Sequence, residues 1–312
     1  MKSVFITGGG GFVGKNLVNY LVKNDFKYIS PSKKDCNLLD KNSLLNCFDK
    51  FSPDCVIHLA STSGGIGYME QNCANIYYNN IVSSANLFEV SKMYDVKKII
   101  ILNSVNIYPM NASIPFKENE LFLGDPHDSV LSYGLSKKHS IYQSQFYYNQ
   151  YGLKSLNLIC DNIYGEHDIF DEQNGRVIPA NIIKFFRAKQ SRGKNISCWG
   201  TGNSIRSFIY VQDVVKALIF FLNKDFEFDY INLGNKNNIT IKNMIQSIAD
   251  IVCYNGSIDW DINKPDGHPC RFMDLNKLHD MGFEAKTDIN EGLKHTFDWF
   301  QKNYSETSSN KL

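Results

Sequence analysis

Residues 4–14 read Val-Phe-Ile-Thr-Gly-Gly-Gly-Gly-Phe-Val-Gly, and they place Gly8, Gly11 and Gly14 at three-residue spacing. A short β-branched run precedes the glycines, and apolar residues at helical spacing follow them. Glycines between a strand and a helix permit a tight turn and let a pyrophosphate approach backbone N–H groups at the helix N-terminus. The stretch therefore predicts a dinucleotide-binding loop. We expect cofactor contacts from Gly8, Gly10, Gly11, Phe12, Val13 and Gly14.

Short apolar runs recur along the first half of the chain, separated by segments of helix length. They predict strands at residues 28–30, 56–60, 99–102 and 156–159. Runs that are apolar throughout are typical of parallel strands covered on both faces. The pattern predicts an α/β fold, a Rossmann-type doubly wound parallel sheet with a smaller C-terminal substrate lobe.

The composition of the sequence changes after Gly165, because residues 166–175 are polar and rich in turn-forming residues. Helices are predicted beyond this point at residues 179–189, 210–222, 240–253 and 290–303, and a strand at 230–233. We expect residues 1–165 to form the dinucleotide-binding domain, with about 198–235 returning to it. Residues 166–197 and 236–312 are expected to form a substrate-binding lobe that closes over the ligand.

Composition and charge exclude several classes of function. The 312 residues include 33 Lys and Arg against 32 Asp and Glu, a net charge of +1, which argues against nucleic acid or a membrane as partner. No apolar run approaches the length of a membrane span, and the first strand begins too close to Met1 for a signal peptide. The eight cysteines form no CxxC pair and are interpreted as reduced core thiols, with no metal site. We expect a soluble, cytoplasmic protein.

The residues after the second predicted strand indicate which dinucleotide binds. An NAD site usually carries an acidic residue there to hold the ribose diol. This chain has Ser-Pro-Ser-Lys-Lys at residues 30–34, and hydroxyls and lysines suit a 2′-phosphate better. NADPH is therefore favoured, with Lys33 as a contact. Asp35 keeps NAD(H) open as the less favoured alternative.

Tyr133 and Lys137 form a Tyr-x-x-x-Lys pair at the start of a predicted helix that runs to Tyr151. Residues four apart share a helix face, so the phenol and the ammonium can converge. We expect the ammonium to lower the pKa of Tyr133 from its usual ~10, which would make the phenol a proton donor or acceptor for a carbonyl–alcohol pair. Ser104 ends a predicted strand and can donate a hydrogen bond to the same carbonyl oxygen. These three are the predicted catalytic residues.

With these motifs in this order, the chain resembles the extended short-chain dehydrogenase/reductase family and, within it, the group of GDP-L-fucose synthases. The resemblance runs from Val4 to about Asn303. It is carried by the blocks Asn37-Leu38-Leu39-Asp40, Gly64-Gly65-Ile66, Ile107-Tyr108-Pro109, Asn162-Ile163-Tyr164-Gly165-Glu166-His167-Asp168, Arg176-Val177-Ile178-Pro179-Ala180, Trp199-Gly200-Thr201-Gly202, Arg206-Ser207-Phe208 and Lys264-Pro265-Asp266-Gly267.

The resemblance implies a nucleotide-sugar oxidoreductase that uses Ser104, Tyr133 and Lys137. It implies further cofactor contacts from Asp40, Leu59, Ala60, Lys137, Asn162, Ile163 and Arg176. It implies contacts to a GDP-sugar from Asn106, Lys184, Trp199, Arg206 and Arg271. Cations outside the cofactor loop also suit a diphosphate, and an indole can stack on a base or sugar.

The alternative for two of these residues is structural, with Trp199 in the core and Arg206 as a surface cation. The resemblance also implies a homodimer, built from the helices predicted at residues 81–94 and 133–151.

Two positions depart from the pattern of the GDP-L-fucose synthases. The resemblance implies an epimerase pair, a cysteine two residues after the catalytic serine and a histidine before Val-Ile-Pro, but this chain has Asn106 and Arg176 there. An amide does not titrate and a guanidinium stays protonated, so neither can exchange carbon-bound protons near neutral pH. Glu166 and His167 are the remaining acid/base candidates, although a histidine matching His167 already belongs to the pattern.

The sequence therefore predicts an NADPH-dependent C4-ketoreductase of a GDP-4-keto sugar, either a 6-deoxyhexose or a heptose, without 3,5-epimerase activity. The resemblance places it in bacterial surface-polysaccharide biosynthesis. Three alternatives stay open: a bifunctional 3,5-epimerase/4-reductase, a nucleotide-sugar 4-epimerase that recycles NAD, and, outside enzymes, a dinucleotide-sensing scaffold. A 4,6-dehydratase is disfavoured because Val105 and Asn106 supply neither the acid nor the base that such an enzyme needs.

Overall fold

The computed structural model describes residues 3–236, 238–264, 266 and 268–304. The strands in these ranges are β1 (Val4–Thr7), β2 (Tyr28–Ile29), β3 (Cys55–His58), β4 (Lys98–Ser104), β5 (Lys154–Cys160), β6 (Asn162–Tyr164), β7 (Asn195–Trp199), β8 (Ile205–Tyr210), β9 (Phe228–Leu233), β10 (Asn238–Thr240), β11 (Ser257–Asp261) and β12 (Cys270–Arg271). The α-helices are α1 (Phe12–Lys23), α2 (Lys41–Phe51), α3 (Ile66–Gln71), α4 (Cys73–Met93), α5 (Leu131–Tyr151), α6 (Val177–Gln190), α7 (Val211–Asn223), α8 (Ile241–Val252), α9 (Asn276–Asp280) and α10 (Ile289–Asn303).

Six parallel strands form the central sheet in the order β2-β1-β3-β4-β5-β9. The order reverses at β1, because the chain passes from β1 outward to β2 and then returns to β3 on the other side. In such sheets, ligands bind in the crevice at the carboxyl ends of the strands beside this reversal. The predicted Rossmann-type parallel sheet is confirmed.

Successive residues of the central strands point to opposite faces, and both faces are buried. Phe5 and Val56 belong to a core covered by α2 and α4, whereas Ile6 and Ile57 belong to a core covered by α1 and α7. This two-sided burial explains why the strands are apolar throughout. Each fully buried side chain of this size contributes about 1.5–3 kcal/mol to the free energy of unfolding.

A second core lies beyond the central sheet, between α6, α8 and α10, with β6, β7 and β8 contributing buried side chains. Strand β8 pairs with β6, β10 and β12, and β7 pairs with β11. By contrast, α7 contributes to the core of the central sheet and β9 is that sheet's edge strand. The domain limits given above stay a prediction, and residues 305–312 of the expected lobe lie outside the described ranges.

Three features differ from expectation. Helix α4 begins at Cys73 rather than near residue 81. The short strands β7 and β8 were not predicted from the sequence. The interpretation of the cysteines as core thiols is wrong for Cys73 and Cys253, which are exposed, and for Cys270, which is half-buried. In the part of the chain that the structure describes, no helix is both long and apolar enough to cross a membrane.

Candidate active site

The glycine loop connects β1 to α1, and its tight path requires glycine at two positions. Gly8 has a φ of +74°, and a Cβ placed there would lie 2.6 Å from the backbone nitrogen of Ala60. A Cβ on Gly14 would lie 2.2 Å from the carbonyl oxygen of Gly8. Gly11, the N-cap residue of α1, has no side chain with which to cap the helix. The first-turn N–H groups of α1 can therefore face an anion, so this cradle fits the pyrophosphate of a dinucleotide.

The other residues predicted around the loop are placed beside it. The Ala60 N–H, which follows β3 and Leu59, donates a hydrogen bond to the Thr7 Oγ1 at 3.3 Å. The guanidinium of Arg176 lies over the ring of Phe12, 5.3 Å from its centroid. Around the Cβ position of Gly10, by contrast, nothing lies within 4 Å. Steric constraints therefore require glycine at positions 8 and 14 but not at position 10.

The loop that follows β2 holds the residues expected to select the dinucleotide. Ser32 Oγ donates to Asp35 Oδ2 at 2.6 Å, and both residues are exposed, as is Lys33. Asp40 Oδ1 accepts from the Asn42 N–H at 2.9 Å and caps α2. Both carboxylates are thus engaged by their own segments, which leaves the exposed Lys33 and Lys34 as the cations of this loop. The cofactor contacts assigned to Lys33 and Asp40 stay predictions.

The structure brings Ser104, Tyr133 and Lys137 together at the carboxyl edge of the sheet. Ser104 is the last residue of β4, and Tyr133 and Lys137 lie one turn apart on α5. Lys137 is buried, and its Nζ donates to the Leu102 carbonyl at 3.1 Å, which holds α5 against β4. Hydrogen bonding with the hydroxyls of Ser104 and Ser61 lowers the pKa of Tyr133.

The expected lowering of the Tyr133 pKa is wrong in this structure. Burial raises the pKa of Tyr133 above its ordinary value, and the charge that counteracts burial is that of Arg176. Burial also lowers the pKa of Lys137 itself, to about 8. The tyrosine is therefore a protonated phenol at neutral pH, suited to donating a proton.

The sequence reasoning missed two residues here, His58 and Ser61. His58 is buried at the end of β3, and its Nδ1 lies 2.7 Å from Thr7 Oγ1. Burial, with a smaller effect from the charge of Lys137, lowers the pKa of His58 to about 3, so it is neutral. Ser61 could have been predicted from the sequence, because polar residues directly after an apolar strand lie at the carboxyl edge of a parallel sheet.

Arg176 is the N-cap residue of α6, and its Nη1 lies 2.8 Å from Asp168 Oδ1. The Asp168 side chain is 1% exposed, and burial raises its pKa while Arg176 lowers it. Arg176 is thus held between the glycine loop, at Phe12, and Tyr133, whose pKa its charge lowers. The position of Arg176 fits its predicted contact with the cofactor or the sugar.

Two arginines predicted to bind substrate lie side by side on paired strands. Arg206 of β8 and Arg271 of β12 are register partners. Arg271 Nη2 donates to the Val105 carbonyl at 3.3 Å and to Asn106 Oδ1 at 3.2 Å. Burial lowers the pKa of both guanidiniums, and the charge of Arg206 lowers that of Arg271 further. Two adjacent cations next to the catalytic strand suit a diphosphate.

Trp199 lies at the end of β7 and is 71% exposed, with the Lys264 ammonium 5.4 Å from the centre of its ring. Arg206 is half-buried. The alternative of a core tryptophan is therefore wrong for Trp199, and the alternative of a surface cation stays open for Arg206. Lys184 donates a hydrogen bond to the Ser197 carbonyl on the same strand, β7. An exposed indole next to a cation offers a stacking surface.

Asn162 and Ile163 belong to β6, which is separated from the end of β5 by one residue. The Asn162 side chain donates to the Ser207 carbonyl at 3.0 Å, which joins β6 to β8. Ile163 packs against both the central core and the second core. These two residues link the sheet edge to the strand that carries Arg206.

Glu166 and His167 face α1 and α10. Tyr210 donates a hydrogen bond to the Glu166 carboxylate, and Asn16 donates to the Glu166 carbonyl at 2.8 Å. The His167 ring lies 4.7 Å from that of Trp299. Neither side chain makes a contact with Ser104, Tyr133 or Lys137, so their contacts do not support a role as replacement acid and base.

A cavity of about 540 Å³ lies at the opposite end of the sheet, where β3, β4 and β5 begin. It is lined by Lys92, Lys97, Lys98, Lys154 and Lys224. Helices α4, α5 and α7 all end there, and cations stabilise helix C-termini. Carboxylates also pair with these lysines, as Asp225 does with Lys154 at 3.0 Å. The lysines are thus explained by the fold.

A model of the NAD dependent epimerase/dehydratase family matches residues 4–234. The chain belongs to this family. Membership was predicted from the motifs and is confirmed. The GDP-L-fucose synthase of Escherichia coli (strain K12), a relative of this chain, is 31% identical over 312 residues, covering 97% of each protein.

Solved structures agree over the same length. A GDP-mannoheptose C4 reductase from Campylobacter jejuni with NADP bound has a TM-score of 0.87 and 28% identity, covering 96% of this chain and 98% of that one. A GDP-D-glycero-L-gluco-heptose synthase from the same organism, in the presence of NADPH, has a TM-score of 0.87 and 26% identity, covering 97% and 98%.

The glycine loop yields a prediction with a matched control. Gly14→Ala puts a methyl group against the Gly8 carbonyl and distorts the loop, so we expect at least a tenfold loss of dinucleotide affinity, about 1.4 kcal/mol. Gly10→Ala, with open space around its Cβ, should keep the affinity within about threefold of wild type. Fluorescence titration with NADPH measures both variants. Equal losses in the two would contradict a steric requirement specific to Gly14.

Proposed function

We propose that the protein is an NADPH-dependent C4-ketoreductase of a GDP-4-keto sugar, a 6-deoxyhexose or heptose, without 3,5-epimerase activity of its own. The observation that carries the proposal is the convergence of Ser104, Tyr133 and Lys137 at the same sheet edge as the glycine loop. Phenol, hydroxyl and ammonium groups in this arrangement suit proton transfer to a carbonyl oxygen.

The residues that would hold NADPH are the glycine loop, Ala60 and Lys33, with the α1 N-terminus facing the pyrophosphate. When bound, NADPH supplies the hydride. Support comes from relatives with NADP or NADPH in their structures and from Lys33 beside an Asp35 that is engaged by Ser32. A loop with an exposed lysine and an occupied carboxylate favours a 2′-phosphate over a free ribose diol.

The chain's own residues would then act on the carbonyl. Tyr133, kept protonated by burial, gives its proton to the C4 oxygen, and Ser104 polarises that oxygen by a hydrogen bond. Lys137 is tied to Leu102 and fixes the face of α5 that presents Tyr133. Arg176 supplies the positive charge that favours the phenolate after the proton has left.

Arg206 and Arg271 would bind the diphosphate of the substrate, with Trp199 stacking on the base or sugar and Lys184 nearby. The choice of a GDP-sugar rests on relatives named for GDP-fucose, GDP-colitose and GDP-heptose. A place in bacterial surface-polysaccharide synthesis is part of the proposal. So is a cytoplasmic location, which suits a chain whose eight cysteines form no CxxC pair.

Four side chains support the proposed lack of epimerase activity. Asn106 is an amide whose oxygen accepts from Arg271, and Arg176 is a guanidinium paired with Asp168. Neither can remove a carbon-bound proton near neutral pH. Glu166 and His167 are engaged with α1, Tyr210 and Trp299. The site thus retains the groups for reduction, whereas the predicted epimerase positions carry side chains that cannot exchange protons.

The proposal includes a homodimer formed through α4 and α5, which pack against each other along their length. Their outer surfaces expose aromatic side chains at Tyr77, Tyr78, Tyr142 and Phe146, of which Phe146 is 61% exposed. Clusters of exposed apolar residues of this kind mark interaction surfaces.

Phe146→Asp should therefore shift the protein from dimer to monomer, because a carboxylate would be buried in an apolar interface. Leu123→Asp is the control, since Leu123 is 71% exposed on a different segment. Light scattering coupled to size-exclusion chromatography measures both. A monomeric wild type, or a dimer that survives Phe146→Asp but not Leu123→Asp, would contradict this interface.

The reaction itself is tested with NADPH and GDP-4-keto-6-deoxy-mannose in D₂O, by absorbance at the NADPH band and NMR of the product. We expect NADPH loss without deuterium at C3 or C5, and faster loss when a separate 3,5-epimerase is added if the epimerised sugar is the true substrate. Tyr133→Phe should be slowed at least 100-fold, because it loses the proton donor. Ring deuterium from this protein alone would show a bifunctional enzyme, and Tyr133→Phe with normal turnover would contradict the mechanism.

A further inference from the structure

Asp161 is the residue that joins β5 to β6, one position after the register partner of Ser104. It is 4% exposed, and its Oδ2 has no hydrogen-bond partner in the described part of the chain. A Cβ placed on Gly234 would lie 3.3 Å from this oxygen and 3.3 Å from the apolar ends of Met273 and Leu275. A buried carboxylate with one unpaired oxygen is costly, and hydrogen bonding with Ser207 offsets only part of that cost, because the pKa of Asp161 stays raised.

The other oxygen of Asp161 is held from its own segment. Oδ1 accepts from the backbone N–H of Asn162 at 2.9 Å and from its side-chain amide at 3.3 Å. Burial raises the pKa of Asp161 to about 7, whereas Ser207, Asn162 and the charge of Arg271 act to lower it. Asp161 in turn raises the pKa of Arg271. The carboxyl and the guanidinium are therefore electrostatically coupled without forming a direct ion pair.

Other ionisable groups act on this pair. Cys160, the preceding residue, has a thiol whose pKa burial raises well above its usual range, so it is neutral. Arg206, on the paired strand β8, lowers the pKa of Arg271 by its charge. His268, three residues before Arg271, has its pKa lowered by burial and by both arginines, with a further effect from His127. Arg271 is thus the cation that connects Asp161 to the proposed diphosphate site.

We propose that Asp161 is a positioning residue that regulates the charge of this site, being ionised while Arg271 lacks an external anion and taking up a proton when a nucleotide-sugar diphosphate binds. The inference rests on the proposed GDP-sugar function. A diphosphate bound at Arg206 and Arg271 neutralises the charge that favours the Asp161 carboxylate and adds negative charge near it. Both effects stabilise the protonated carboxyl, and a neutral Asp161 in turn removes a repulsion against the diphosphate.

The sign of the pH dependence follows by linkage. A group whose pKa rises on binding takes up a proton when the ligand binds, so affinity is highest below the pKa of the free protein and falls as the pH rises. For Asp161 the decline begins near pH 7. We expect the affinity to fall about fivefold between pH ~6 and pH ~8.

The test is calorimetric titration of the full-length protein with GDP-mannose. Each of its two phosphates carries one ester bond and shares the anhydride bond between them, so neither changes its charge across this range. Titrations in buffers of different ionisation enthalpy give the number of protons taken up. We expect uptake of roughly half a proton per site near pH 7 for wild type and none for Asp161→Asn, which keeps the shape of the neutral acid. The affinity of Asp161→Asn should also vary less than twofold with pH.

His268→Gln is the matched control, because His268 is the other group near Arg271 that could take up the proton. This variant should keep the uptake of wild type. Uptake that persists in Asp161→Asn, or that disappears in His268→Gln, overturns the assignment to Asp161. Thermal unfolding checks that each variant folds, and Asp161→Ser repeats the comparison if Asp161→Asn does not.

The two proposals fail in different ways in this experiment. If GDP-mannose does not bind wild type, the proposed substrate class is overturned, and this inference falls with it. If GDP-mannose binds wild type without proton uptake, only the role of Asp161 is overturned.

Discussion

The ammonium of Lys137 lies buried between α5 and the central sheet, where it donates a 3.1 Å hydrogen bond to the Leu102 carbonyl. A buried cation is costly unless it is hydrogen-bonded, and the lowering of its pKa to about 8 reflects that cost. The bond fixes α5 against β4, so that Tyr133, one turn earlier, is held beside Ser104. The geometry of the catalytic residues depends on this contact.

The same buried charge also acts on the cofactor side of the site. It contributes to the low pKa of His58, which lies against Thr7 at the end of β1, and Thr7 in turn accepts from the N–H of Ala60 beside Gly8. The glycine loop and the catalytic helix are therefore connected through the ends of three neighbouring strands. On the substrate side, Arg271 makes the corresponding link, since it donates to Val105 and Asn106 directly after Ser104. Reduction of a carbonyl requires the cofactor and the substrate to be held next to each other in the same site.

The sequence was sufficient for the central sheet because β1, β3, β4 and β5 are buried on both faces and so contain short apolar runs. It was insufficient for β7, whose residues alternate between exposed and buried, and for β12, which has two residues. The motifs predict Ser104, Tyr133 and Lys137 as catalytic residues, because their chemical types and order are visible along the chain. The resemblance predicts the two arginines proposed to bind substrate. The expected pKa of Tyr133 was wrong because burial depends on tertiary packing. Asp161 was missed for the same reason, as its surroundings come from Gly234 and Met273, more than seventy residues away.

The central claim is that the protein transfers a hydride from NADPH to C4 of the sugar, with net consumption of NADPH. It is tested most directly by NADPH carrying deuterium on both faces of the nicotinamide C4, incubated with the protein and GDP-4-keto-6-deoxy-mannose in ordinary water. The account predicts one deuterium in the product, at sugar C4 and at no other carbon, with NADPH consumed in equal amount. A product without deuterium at C4, or a change at C4 with no net consumption of NADPH, would contradict it and favour an enzyme that recycles its own bound cofactor.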